Sequence, residues 1–360
     1  MTAPRVAAAI ASPRVDFLCF VAPGLASLVL GLVIGLTSDG PAALSTLQWL
    51  VLVLAIDVAH VWSTSFRTYL DPVARRHHAR RLWLLPAASL WCGFLLHLES
   101  PAWFWTALAY LAIFHFIMQH VGFAMLYVRK GGESSFDRRL VKLALWCGTA
   151  GPVLWWHGHL PRTFAWFVEG DLFAGVPAVI GTAALWLQLP VWLVFVVRRV
   201  ALRSAGHRNP MLVWLTVLPA LNWHLGIVAF DDDRIFTLTN VVMHGVPYIA
   251  LTWFAGGREQ SARIFGARLR RRTPALLGAA YLGSLLVVAL VEESLWDRWI
   301  WHDHASLFGA GGEWALTHPV VTAAVVALLT VPQATHYLLD RWIWRAGPDN
   351  PELARQLGLS

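Results

Sequence analysis

Charge is what this sequence lacks most. Only 14% of its 360 residues are Asp, Glu, Lys or Arg, against about 25% in soluble domains, and the shortage excludes a disordered chain or a coiled coil. Cysteine is nearly missing as well. Cys19, Cys92 and Cys147 lie far apart, each in an apolar stretch, so neither a disulfide scaffold nor a zinc ribbon is encoded and all three read as small buried hydrophobes. The phosphate loop GxxxxGKS/T, the GxSxG elbow, GxGxxG after a strand and HExxH are also absent. Without them, ATP-driven transport and serine hydrolase chemistry have no basis in the sequence.

What the chain has is apolar length. Ala, Val, Ile, Leu, Met, Phe, Trp, Tyr and Cys make up 57% of it. A bilayer core takes about 20 apolar residues as helix. Ten such windows occur, at 15–37, 43–65, 82–99, 102–128, 141–160, 176–197, 211–231, 235–256, 274–294 and 316–343. The pattern predicts an all-α, polytopic integral membrane bundle of about ten transmembrane helices, forming a single membrane domain over residues 1–360. The first apolar run is too long, and too continuous with the second window, to be a cleavable signal peptide.

Basic residues test that reading. Five fall after the second window, five after the fourth, four after the sixth and six after the eighth, while the intervening connections hold only Arg162, Arg234 and Arg298. This alternation is the positive-inside pattern, with both termini in the cytoplasm. The net charge of +7 is thereby explained as topology and contact with anionic lipid, not as nucleic-acid binding. In a bacterium the membrane would be the inner, cytoplasmic one. Arg258–Arg272 reads as a helix lying on the membrane, and Trp103, Trp105, Trp155, Trp156, Trp296, Trp299 and Trp301 read as interfacial anchors. Glu292, Glu293 and Asp231–Asp233 read as a solvated rim at outer span ends. Pro23–Gly24, Gly151–Pro152 and Gly245–Pro247 are candidate helix breaks.

Polar residues in such a background are costly and become the functional candidates. Of 15 histidines, His60, His115, His120, His224, His244 and His336 fall inside windows. At a rise of about 1.5 Å per residue, His115 and His244 lie near mid-helix, with His60, His120 and His336 roughly 7 Å toward the cytoplasm and His224 about 6 Å to the other side. Each of four helices thus brings histidine to one slab. Residues three or four apart share a helix face, which pairs Asp57 and Thr64 with His60, Gln119 with His115, Asn240 with His244, and Gln333 and Asp340 with His336. Metal-bound imidazole commonly needs such a partner for its second nitrogen. His115 and His120 point about 140° apart around their helix, so one ion cannot readily take both; His115, with Gln119, is the preferred ligand and His120 the second choice.

Imidazole and carboxylate donors suit iron and its neighbours. The sequence therefore leads to a membrane-embedded, metal-dependent oxidoreductase, with non-haem iron, acting on a lipid or similar hydrophobic molecule and served by an electron donor. Asp57 and Asp340 are its candidate catalytic carboxylates, His60, His115, His244, His336 and His120 its metal ligands, and Arg67 and Tyr69 its substrate head-group contacts. Two other readings stay open: a bis-histidine haem electron carrier and a proton-coupled transporter using Asp57, His60, His336 and Asp340. The HxxxH and HxxHH boxes of membrane desaturases and hydroxylases are absent, the close histidine pairs being spaced by one, two and five. The stretch His302-Asp303-His304 is weak as an outer metal site, and whether His224 belongs to any site is left open.

Overall fold

A computed structural model describes residues 9–309, 316–345, 347 and 350–359. Among these residues the chain is helical, with no strand. Ten long helices are named here α1 (Pro13–Thr37), α2 (Thr46–Arg67), α3 (Ala79–Glu99), α4 (Pro101–Gly131), α5 (Ser135–His157), α6 (Ala178–Ser204), α7 (Pro210–Ala229), α8 (Asp233–Phe265), α9 (Pro274–Trp301) and α10 (Pro319–Ile343). Nine of them, all but α5, are long and apolar enough to cross a membrane. The fifth window, 141–160, falls on α5, whose apolar run is diluted by Lys142, His157 and small residues and which ends at His157.

Local signals explain the helix starts. Pro13, Pro101, Pro210, Pro274 and Pro319 stand at the first helical position, where the N–H that proline lacks would have no helical partner. Ser45 and Gln48 close a capping box at α2, and Ser134 Oγ accepts from Asp137 N at α5, each satisfying an end donor.

The helices form two compact units. The first comprises Met1–Ala43, Ile113–Pro247 and Leu357–Ser360. In it α5 packs on α6 and α7, and α7 on α1. Gly181 permits the close α5–α6 approach, since a Cβ there would lie 2.4 Å from Trp155 Cα. At one end Arg198 Nε donates to Asp137 at 2.9 Å, Arg199 to Glu133 at 3.0 Å, and His207 meets Glu133 at 3.1 Å. The Arg198 hydrogen bond holds the Asp137 carboxyl down at about 2.

The second unit comprises Leu44–Ala112 and Tyr248–Gln356. Its α3 packs along α10, and α2 packs against α9 and α10. The α3 span is only 11% buried and α4 72%, so α3 presents apolar side chains outward while α4 is enclosed.

Several sequence expectations change. Cys92, on the outward α3, is exposed, and Cys19 and Cys147 are half-buried. Trp105, Trp156 and Trp296 are core residues; Trp105 packs with Trp296 and Trp301. Glu292 and Glu293, expected at a solvated rim, are buried: α9 runs past them to Trp301 and packs on α2, where Trp62 Nε1 donates to Glu292 at 2.5 Å. The expected breaks at Pro23, Pro152 and Pro247 lie within helix. A real break falls at Ala255–Gly256, where Gly256 has φ 110°. Arg258–Arg272 is two short helices, Arg258–Phe265 and Ala267–Arg272, interrupted by Gly266 at φ 109°.

Candidate metal centre

Four of the histidines predicted as ligands form two close pairs. In the second unit, His60 of α2 and His336 of α10 have ring centroids 5.0 Å apart at 76°. In the first, His115 of α4 and His244 of α8 repeat the figure, at 5.0 Å and 77°. All four are buried. Together they offer one ligand atom each, and these atoms all lie within 4.8 Å of one another. Among the described residues this is the group of His, Cys, Asp and Glu with metal-binding spacing.

The surroundings of His336 set its tautomer. Tyr248 OH donates to Asp340 Oδ1 at 2.6 Å, so its only proton is used. The 3.0 Å contact between Thr64 Oγ1 and Tyr248 OH must then be donated by Thr64. Thr64 in turn accepts at 2.7 Å from His336 Nδ1, which therefore carries the proton and leaves the lone pair on Nε2. The hydrogen-bond network thus leaves Nε2 as the nitrogen His336 could offer to a metal. Trp344 Nε1 also donates to Tyr248 OH, at 3.2 Å.

On His60 the neighbouring carboxylate is Asp57, with Oδ1 3.5 Å from Nδ1, one turn earlier on α2 as its spacing implies. Tyr248 packs edge-on against His60 at 5.7 Å.

The His115–His244 pair is held by an aromatic face and by the main chain. Phe116 stacks on His244, centroids 3.5 Å apart and planes within 2°. Gln119 Nε2 donates to the His244 main-chain carbonyl at 2.8 Å, tying α4 to α8. Asn240 donates to Phe236 O at 2.9 Å, and Gln333 to Tyr337 OH at 2.7 Å. Thr64, paired by spacing with His60 on its own helix, instead serves His336 on another. His120 is buried 6.3 Å from His244 by ring centroid and falls outside the group of four.

The remaining predicted residues have other surroundings. Arg67 is buried, with Nη2 donating to Asn350 at 2.6 Å and Nη1 3.6 Å from Asp71. Tyr69 OH donates to Leu82 O at 2.9 Å. That carbonyl lies four residues before Pro86, whose missing N–H cannot bond it within α3. His224 bonds Ala220 O through Nδ1 at 2.7 Å and meets Gln188 through Nε2 at 2.9 Å, a structural use of both nitrogens. Asp297 Oδ1 accepts from the main chain of Asp303 and His304, and His304 lies against Trp49.

Tyr248 was missed by the sequence reading. It lies one turn after His244 on α8, the same spacing that singled out Gln119 and Asp340, but tyrosine reads as an aromatic packing residue unless its hydroxyl has a partner in view.

Comparison with family models, with curated proteins and with solved structures finds no match for this chain.

Proposed function

We propose that the protein is a membrane-embedded, metal-dependent oxidoreductase acting on a hydrophobic substrate, with iron at the four histidines. The observation that carries this reading is the convergence of four buried imidazoles whose ligand atoms lie within 4.8 Å. Metal–nitrogen bonds near 2.1 Å would let imidazoles with this spacing share a bound ion. Neutral nitrogen donors with Asp57 and Asp340 nearby suit iron, copper or zinc.

Iron held by these histidines would supply oxidation chemistry when bound. The chain's own residues do the rest. Thr64, Tyr248 and Asp340 keep the His336 proton on Nδ1 and so present Nε2. Phe116 fixes the plane of His244, and Gln119 anchors its backbone. The apolar helices around the group exclude water, which strengthens every charge interaction inside.

A bis-histidine haem would need only two of the four imidazoles and would leave Asp57 and Asp340 without a role.

Elemental analysis and an absorption spectrum of detergent-purified protein, wild type beside His60→Ala and His336→Ala, test the proposal. The expected result is stoichiometric iron in the wild type, lost in both variants, with no Soret band. Wild-type protein purified without chelators and free of metal would overturn it.

A further inference from the structure

We infer that the second unit binds the alkyl chain of a membrane lipid in a cavity between α2, α3 and α10 that ends at His336. The inference rests on the proposed metal centre only for what becomes of the chain once bound. The cavity measures about 210 Å³ and is partly open. Its walls are Val61 and Trp62 of α2, Pro86 of α3, and Val331, Pro332 and Leu339 of α10, and His336 lines it with Thr64 and Thr335.

Size and chemistry both select the occupant. An engineered apolar cavity of about 150 Å³ stays dry and takes up benzene, so a site of 210 Å³ with apolar walls favours hydrocarbon over water. It is smaller than the roughly 300 Å³ at which pockets begin to hold drug-sized ligands, which fits one narrow chain better than a ring system. The hydroxyls at its edge are mostly engaged: Thr64 with His336 and Tyr248, and Tyr69 with Leu82 O. Thr335 is 4% exposed, and its Oγ1 has no hydrogen-bond partner among the described residues. It is therefore a donor for a polar substituent carried by the chain beside His336.

Continuity with the lipid-facing surface supplies the route. Trp83 and Leu84, a turn or less before Pro86, are 79% and 65% exposed, and Leu328, one turn before Pro332, is 57% exposed. Large apolar side chains left this open on bilayer-length helices are covered by lipid. A chain leaving the bilayer past these residues passes over no charged group among the cavity's lining residues.

The test is photolabelling of the full-length protein in phosphatidylcholine vesicles with palmitic acid carrying a mid-chain diazirine, read by peptide mass spectrometry together with metal content. Adducts should concentrate on the α2 and α10 peptides that line the cavity, be competed by unlabelled palmitic acid, and fall at least tenfold in Val331→Trp and in Ser65→Trp, Ser65 being a further α2 residue on the cavity wall. Both substitutions fill the cavity from different walls, and the one that retains wild-type metal content is the one scored. Labelling spread over outward helices such as α6, with no competable adduct at the cavity, would overturn the inference while leaving the metal reading intact. Competable cavity labelling in protein that holds no metal would support it and sink the metal reading alone.

Discussion

The two histidine pairs share a spacing and an angle but differ in what holds them. His60 and His336 sit among groups that give or take protons: Asp57, Thr64, Tyr248 and Asp340. His115 and His244 are fixed by a stacked phenyl ring and an amide on the main chain. Hydrogen bonding to the second ring nitrogen tunes a ligand's basicity, whereas stacking fixes only its plane. In the proposed site the first pair would set the chemistry of a bound ion and the second its position.

Removing any one of the four imidazoles should have the largest effect. His60→Ala, His336→Ala, His115→Ala and His244→Ala are each expected to lower bound metal at least tenfold by elemental analysis. If the alanines of one pair leave metal content unchanged, the pairs do not act as one site and the comparison breaks there.

Phe116→Ala should cost about 3–5 kcal/mol of stability, the usual range for a buried phenylalanine, read as a lowered Tm in detergent. The ring is 3% exposed and stacked on His244. A stability loss below about 1 kcal/mol would mean that the stack does not position the pair.

On the polar side, Thr64→Val should weaken metal binding by about 10–100-fold, as loss of a ligand's hydrogen-bond partner commonly does. Tyr248→Phe acts one bond further away and should lose about one kcal/mol, the worth of one buried hydrogen bond. Metal titration that ranks Tyr248→Phe above Thr64→Val would contradict the assigned direction of the chain from His336 to Asp340.

The smallest effect is expected outside both pairs. Asp137 titrates at about 2 because Arg198 donates to it, below its usual value near 4. Its contribution to stability is thus fully present above pH 4 and is lost as pH falls toward 2. Asp137→Asn should flatten that part of the Tm–pH curve and leave metal content untouched. An unchanged curve would show that the Arg198 contact is not maintained in solution.

Which helices carry the candidate histidines was legible in the sequence, because the hydrocarbon requirement makes every polar group in an apolar window conspicuous. His60, His115, His244 and His336 stand out for that reason alone. Their partners were less legible. Spacing along a helix finds Asp57 for His60, yet it assigns Thr64 to the ring on its own helix when its hydroxyl reaches His336 across to α10. Glu292 and Glu293 were misplaced for a related reason, since α9 runs past them to Trp301 and Trp62 on another helix covers Glu292.

Scarcity of charge, alternating arginine and apolar windows determined by themselves that this chain forms long helices of bilayer length and that six histidines need explaining. Those are one-dimensional properties, fixed by the cost of placing polar groups in hydrocarbon. Only the tertiary structure decided that four of the six converge, that Tyr248 completes the chain to Asp340, and that a cavity reaches His336. Each depends on side chains from different helices meeting, and helix periodicity gives the face a residue occupies without the neighbour that face will find.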